Sequence, residues 1–258
     1  MANYVTYPLN TSGRPDGTPP VADKEGGYYY KYSYSWTSKA ASTEVNLCDA
    51  IMKFDSSKNN NGYIFLSCVG TTSTPPEFGI YTAPEFNGAW KCYTREAGSG
   101  SVVPHETIFV PTGTSGGVYT YGATSSNPNP RTRVKMRIKL NGTNIIGQIL
   151  DGNTVLASYT VSGAAAGIGE SASLNTFLLG TSFVPNPPTT SCGNRDAYLK
   201  HVYLHEGYLY ETNSYGNPTE WVPDPANPVT YYSIVVRPEY TTYNRFGSRD
   251  EEVSIDYN

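Results

Sequence analysis

Five cationic side chains follow one another at every second position of one short segment. They are Arg131, Arg133, Lys135, Arg137 and Lys139, and the residues between them are Thr132, Val134, Met136 and Ile138. Because side chains on one face of a strand repeat every 6.6–6.8 Å, such a row would extend over about 26 Å. Guanidinium groups bind carboxylates bidentately, so one interpretation is a groove for an acidic polymer. The other is a solvated sheet surface with ion pairs, protected by its charge from edge pairing.

The segment that follows this row predicts its partner strand. Asn141-Gly142 is a strong signal for a two-residue hairpin turn, and residues 144–150 return from it. Counted through that turn, Gln148 is expected opposite Lys135, and Ile146 opposite Arg137, on the cationic face. Asp151-Gly152 marks a second turn, so residues 131–161 are predicted to form a three-stranded meander.

A second segment places histidine and tyrosine on one face. Between residues 198 and 205, Val202 and Leu204 are expected to point inward with Tyr198, which leaves His201, Tyr203 and His205 outside. The two histidines would lie about 13 Å apart on a strand, too far to hold one metal ion together. Each can orient a carboxylate or carry a proton.

Tyrosine dominates the aromatic residues, with 23 Tyr against 8 Phe and 3 Trp. A tyrosine ring offers an apolar face and a hydrogen-bonding edge, which suits contact with sugars. The run from Tyr28 to Trp36 must turn one side to a core, and its pattern leaves the side open. Trp90 alternates with apolar positions and is expected in the core. Trp221, in a Pro-rich stretch, is the candidate for an exposed sugar-stacking ring.

The elements that must position these residues are strands. The chain has 258 residues, of which 16% are charged, and it contains 25 Gly and 19 Pro. Short alternating segments separated by Gly, Pro, Asn and Asp predict an all-β antiparallel sandwich. Residues 45–54 and 62–68 are expected to form a hairpin. We predict a sandwich over residues 1–211 and an extension, 212–258, that packs on or completes the same domain.

Composition also excludes several classes of partner. The net charge of −4 and the lack of a basic tail argue against nucleic-acid binding. No apolar run reaches the length of a transmembrane helix. The start of the chain shows no signal sequence, so either the protein stays inside the cell or a signal was removed. The polar composition, rich in Tyr, Thr and Asn, favours a secreted protein whose signal was removed.

Metal and disulfide chemistry receive weaker support. The four cysteines have no Cys-x-x-Cys spacing, so no zinc site is predicted. Cys48, Cys68 and Cys92 fall on inward positions, and Cys192 is the fourth cysteine. Disulfides and free thiols are therefore equally open. The loop from Asp55 to Gly62 is rich in oxygen ligands, so calcium could bind there. An ordinary Asx-rich turn explains it more simply, and no cofactor is predicted.

The order of these segments resembles the concanavalin A-like jelly roll of legume-type lectins, laminin-G-like modules, family 16 glucanases and some polysaccharide lyases. The resemblance covers about residues 28–211. It is carried by Lys53-Phe54-Asp55, Gly62–Leu66, Glu77–Tyr81, Gly88–Cys92, the meander and Tyr198–Leu204. It implies a two-sheet sandwich whose concave face holds a glycan or, in the enzymes, catalytic groups. The paired carboxylates of the family 16 glucanases have no counterpart here.

Within this superfamily the sequence is similar in places to alginate-lyase-like jelly rolls. The resemblance implies that Arg95, Gln148, His201 and Tyr203 line the concave face for β-elimination, where the cation neutralises a uronate carboxylate and Tyr203 moves the proton. The sequence departs from that pattern, because Arg95 stands alone and Leu150 replaces an expected His.

The sequence therefore favours a secreted carbohydrate- or cell-surface-binding protein without evident catalysis. Its predicted ligand-binding residues are Arg133, Lys135, Arg137, His205 and Trp221. The alternatives are a polysaccharide lyase acting on an acidic glycan, with the four residues above, and a surface-docking toxin-like or structural protein.

Overall fold

The computed structural model describes residues 5–6, 26–34, 38–55, 59–69, 75–168, 176–186, 196–211, 231–236, 240–246 and 250–258. In these ranges the strands are β1 (Val5–Thr6), β2 (Gly27–Tyr34), β3 (Ser38–Asn46), β4 (Ile51–Lys53), β5 (Asn59–Val69), β6 (Glu77–Thr82), β7 (Trp90–Arg95), β8 (Val103–Phe109), β9 (Gly113–Ser115), β10 (Val118–Thr120), β11 (Arg133–Asn141), β12 (Asn144–Asp151), β13 (Thr154–Ser162), β14 (Thr176–Asn186), β15 (Tyr198–Glu211), β16 (Tyr231–Val236), β17 (Thr241–Arg245) and β18 (Glu251–Asp256). Short 3₁₀ turns lie at Pro84–Phe86 and Ala164–Ala166.

The strands form two sheets. Sheet A has the order β1-β16-β2-β14-β5-β6-β7-β8. Sheet B contains β13-β12-β11-β3-β15, with β18 on the other side of β15 and β17 beyond it. β4 continues the line of β3 along β15, and it pairs on its other side with β10. All the described pairings are antiparallel except β1 with β16, so the predicted all-β antiparallel sandwich is confirmed.

The core lies between the sheets and follows the alternation of the sequence. In β11, Val134, Met136 and Ile138 are buried, as predicted. Phe78 and Trp90 of sheet A are fully buried in the same cluster. Burying one such side chain contributes about 1.5–3 kcal/mol, so the inward residues provide the main force that holds the sheets together.

The meander forms as predicted, but its register is shifted. Gln148 lies opposite Arg137, not Lys135, and Ile146 lies opposite Lys139. The reason is that Asn141 still pairs with Asn144, so Gly142 is the first residue of the two-residue loop. Gly142 has φ 61°, a conformation that glycine adopts without strain.

The expected hairpin between residues 45–54 and 62–68 is wrong. β3 and β4 belong to sheet B, whereas β5 belongs to sheet A. Met52 and Ile64 both face the core, one from each sheet. The alternating pattern identifies the buried face of a strand but not the sheet to which it belongs, which is why the sequence suggested direct pairing.

The chain beyond residue 211 contributes to both sheets. β16 pairs with β2 in sheet A, and β18 pairs with β15 in sheet B. The hydroxyl of Tyr257 accepts a hydrogen bond from the backbone N–H of Gly27 at 2.8 Å and donates one to the carbonyl of Phe183. The predicted division at residue 211 itself stays a prediction.

The tyrosine run turns Tyr29 to the main core, which answers the question that its pattern left open. Tyr28 faces the other side of sheet A, in a second cluster with Phe65, Tyr81 and Tyr93. Trp36 lies outside the described residues.

The cysteines are inward at two of the three predicted positions. Cys68 and Cys92 are fully buried, and burial raises the pKa of the Cys68 thiol to about 12. Cys48 is partly exposed in the turn after β3, where its thiol donates a hydrogen bond to Asp49, so its inward placement was wrong. Among the described cysteines all three are free thiols, and Cys192 lies outside the described residues.

Candidate functional site on the outer face of sheet B

Three rings form a row on the outer face of sheet B. In β15, Val202 and Leu204 are buried in the core, so Tyr203 and His205 face outward as predicted. Their rings stack with centroids 5.8 Å apart and planes 8° apart. Phe246, which follows β17, lies 6.1 Å from Tyr203 and is 61% exposed. We call Tyr203, His205 and Phe246 the ring row.

Two of the predicted ligand-binding cations, Arg133 and Lys135, are aligned across the strands with two members of the ring row. Arg133 lies opposite Asn46, which lies opposite Tyr203. Lys135 is linked in the same way through Glu44 to His205. Neighbouring strands are 4.7–4.9 Å apart, so cations and rings face outward about 10 Å from each other.

The two cations differ in how the protein uses them. Nη1 of Arg133 lies 3.5 Å from Oε1 of Glu44, and the Arg133 side chain is 61% exposed. Exposed pairs of this kind contribute about 0–1 kcal/mol, so a ligand carboxylate can compete for the guanidinium. Lys135 has no ion-pair partner in the described part of the chain, although Glu44 is its cross-strand neighbour.

His201 lies at a β-bulge that the sequence did not predict. Leu199 pairs with Ile255 and Val202 with Val253, so β15 has one extra residue there. The bulge reverses the alternation, which buries Leu199 and leaves Tyr198 partly exposed, contrary to the expected inward Tyr198. His201 itself has φ 58°, an uncommon conformation for a side chain with a Cβ.

Both histidines of β15 contact carboxylates next to or in β18. Nδ1 of His201 pairs with Oε1 of Glu252, and Glu252 also accepts a 3.4 Å hydrogen bond from Asn244. Nδ1 of His205 lies 3.4 Å from Oδ1 of Asp250. Glu252 lies in an acidic run, residues 250–252, yet it is only 9% exposed.

For the cations on either side of Arg133 and Lys135, the interpretation as a paired sheet surface fits better. Arg137 donates from Nε and Nη2 to Oε1 of Gln148, at 2.9 and 2.7 Å. Arg131 forms a 2.9 Å ion pair with Asp151. Burial and, to a lesser extent, the neighbouring Arg137 lower the pKa of Lys139. Arg131 and Arg137 are therefore held by partners from the protein itself.

The four residues implied by the lyase resemblance do not come together. Gln148 is three strands away from β15 and four positions away from Tyr203 along β3, so their backbones are about 19 Å apart. Arg95 lies in β7 of sheet A, the other sheet. Only His201 and Tyr203 are neighbours.

Arg95 has a structural role instead. Its guanidinium pairs with the buried carboxylate of Glu77 and donates to the carbonyl of Pro75. The hydroxyl of Tyr93 donates to the other oxygen of Glu77 at 2.8 Å. Burial, together with the adjacent Glu77, raises the pKa of Tyr93 well above its usual value.

Metal ligands do not gather in the described residues, where no group of three or more His, Cys, Asp or Glu side chains could hold an ion. The suggested calcium loop has residues 56–58 outside the described ranges. Trp221, the predicted stacking residue, also lies outside them.

Sequence reasoning missed Phe246 and Glu252 as members of this face. Glu252 could have been found, because Val253 and Ile255 alternate with Glu252 and Ser254. Phe246 follows a short polar strand and carries no periodic signal. Its position depends on the pairing of β17 with β18, which a local pattern does not specify.

A second titratable cluster lies where the edge strands β8 and β13 meet. A bulge in β8 sets both His105 and Glu106 opposite Cys92. The His105 ring stacks on Tyr159 at 3.8 Å, and Tyr159 donates a 2.6 Å hydrogen bond to Glu106. That bond raises the pKa of Tyr159 to about 12. Thr94 Oγ1 lies 2.9 Å from Nε2 of His105.

Comparison with known proteins gives a likeness of fold alone. No protein-family model matches the chain, and no curated protein matches it in sequence. Scytalido-glutamic peptidase is similar in structure, with 12% identity, a TM-score of 0.49 and coverage of 92% of this chain and 98% of that one.

Two carbohydrate-active proteins are also similar. An alginate lyase of polysaccharide lyase family 7 has 11% identity and a TM-score of 0.36, covering 69% of this chain and 64% of that one. The Bacillus licheniformis β-glucanase has 7% identity and a TM-score of 0.29, covering 86% and 67%. Both have the concanavalin A-like jelly roll named from the sequence. The fold assignment itself rests on the two sheets described above.

Proposed function

We propose that the outer face of sheet B around Tyr203 binds a carboxylate-bearing glycan without turning it over. The observation that carries this proposal is the placement of Arg133 and Lys135 in line with Tyr203 and His205. A sugar needs a flat apolar surface for its ring face and polar groups for its substituents. The ring row provides the first, and the strands beside it provide the second.

Each polar group has a defined task in this proposal. Arg133 and Lys135 attract the sugar carboxylates, and the guanidinium can bind one bidentately. Asn244, on the far side of the ring row, offers its amide to hydroxyl groups of the sugar. A polymer lying across β11, β3, β15 and β18 would meet cations at one side and rings at the centre.

Non-catalytic binding is preferred over β-elimination because Gln148 and Arg95 are remote from Tyr203. No helix in the described residues is long and apolar enough to cross a membrane. We propose that the protein acts at the cell surface or after secretion, where such glycans occur.

The test is binding to immobilised polygalacturonate and to neutral dextran, with absorbance of unsaturated uronate products followed in parallel. Phe246→Ala should weaken retention about three- to tenfold, since one aromatic contact contributes about 0.5–1.5 kcal/mol. Val110→Ala removes an equally exposed apolar side chain elsewhere and should leave retention unchanged.

The charge test uses Arg133→Gln/Lys135→Gln, with Lys139→Gln as a control from the same strand. Retention of polygalacturonate should fall in the double variant and persist in the control. Formation of unsaturated products would replace this proposal with the lyase alternative. Absence of retention on every glycan would favour the surface-docking alternative, with a protein or lipid partner.

A further inference from the structure

Tyr203 lies between two imidazole–carboxylate pairs. His201 pairs with Glu252, and His205 pairs with Asp250. Both carboxylates come from the segment 250–252, so one short stretch of chain contacts both histidines. The rings and the carboxylates therefore form one continuous surface beside the proposed glycan.

The His201 pair is built into the backbone. The bulge at residues 200–201 and the left-handed conformation of His201 direct its imidazole to β18. The N–H of His201 donates to Oγ of Ser254 at 3.0 Å, which holds this conformation. The His201 side chain is 47% exposed while Glu252 is nearly buried. Unfavourable backbone conformations persist at functional sites, where surrounding contacts impose them.

The charge of this surface depends on the two imidazoles. Carboxylates close to the ring row are Glu44, Asp49, Asp250 and Glu252, and the cations facing it across β3 are Arg133 and Lys135. Lys200 and Asp256, beside His201 in the strands, pair with each other. With neutral imidazoles the carboxylates repel an acidic polymer; with protonated ones, two of them are neutralised.

We propose that the ligand is a polyuronate and that acid strengthens its capture through His201 and His205. The inference rests on the function proposed above and adds its ligand class and its regulation. Imidazole gains its proton between about pH 8 and pH 5. Ordinary carboxyl groups lose their proton near pH 4, so a uronate stays charged over that range. His201 carries most of the effect because its ring is the more exposed.

The experiment measures the Kd of polygalacturonate oligomers by calorimetry at pH 5.5, 6.5 and 7.5. We expect about fivefold tighter binding at pH 5.5 than at pH 7.5, from two added charges within about 8 Å of the ligand. Neutral dextran oligomers serve as the comparison, and their Kd should not change with pH.

Matched variants assign the effect. The double variant His201→Gln/His205→Gln should abolish the pH dependence of the Kd. His105→Gln changes the third histidine, in β8 of sheet A, and should preserve that dependence. Glu252→Gln, which keeps the side-chain shape, should tighten binding at pH 7.5 and reduce the dependence. This variant tests the acid dependence independently if the histidine variants fail to fold.

The outcomes separate the two proposals. Polygalacturonate binding that does not change with pH, or that changes equally in the histidine double variant, overturns the acid dependence and leaves glycan binding intact. Absence of binding at every pH, with wild-type protein shown to be folded, overturns the proposed function instead.

Discussion

Single residues at the junction of β8 and β13 show how a local irregularity brings reactive side chains together. Adjacent residues of a regular strand point to opposite faces, so His105 and Glu106 should be separated. The bulge opposite Cys92 allows both to contact Tyr159. Nothing in the residue types at 105 and 106 signals a bulge, so this cluster could not be predicted from the sequence.

His105 makes stability depend on pH. Burial lowers the pKa of His105 below its usual value, against a smaller opposite effect from Glu106. The unfolded chain therefore binds this proton at a higher pH than the native protein does, and stability is lost as the pH falls below about 6.5. We expect the fall in Tm between pH 7.5 and pH 5 to be smaller in His105→Gln than in the wild type. Parallel Tm curves would contradict this origin.

Among the elements, β12 and β6 meet across the core through a glycine. A Cβ on Gly147 would lie 2.2 Å from Cγ of the buried Phe78. We expect Gly147→Ala to reduce the free energy of unfolding by about 1–3 kcal/mol, because the ring must shift within a packed core. Gly100→Ala is the control, since nothing lies within 4 Å of its Cβ position. Equal urea midpoints for the two variants would disprove close packing at this contact.

Strand faces could be predicted at this scale, whereas strand partners could not. Alternation correctly turned Val134 and Leu204 inward and Tyr203 outward. Partners depend on long-range pairing, which is why residues 45–54 were joined to the wrong strand. Gln148 faces Arg137 instead of Lys135 because the turn begins one residue later than expected. A change of one residue in a turn moves every cross-strand neighbour.

In the whole molecule, strands from residues 231–256 complete both sheets. Removal of residues 212–258 would expose the edges of β2 and β15 and remove Phe246 and Glu252 from the candidate site. We expect the truncated protein to lose cooperative thermal unfolding and near-ultraviolet circular dichroism. A monomeric truncated protein with a sharp melting transition would show that residues 1–211 fold alone.

The candidate site likewise depends on strands from distant parts of the chain, so only some of its residues could be predicted from the sequence. Arg133, Lys135, Tyr203 and His205 come from strands whose alternation is clear in the sequence. Their partners in this surface are Glu252, from β18, which pairs with β15 across about fifty residues, and Phe246, which follows the β17 strand paired with β18. No periodic pattern encodes such a distance.

The hydrogen bond of the Tyr257 hydroxyl has a consequence for folding during synthesis on the ribosome. It bonds to Gly27, 230 residues earlier in the chain. A nascent chain that grows by about 5–20 residues per second would expose the unpaired edges of β2 and β15 for seconds before their partners are synthesised. Such a delay favours association of neighbouring nascent chains through these edges. Co-expression of a holding chaperone should therefore raise the yield of soluble protein more than a change in redox conditions or added metal would.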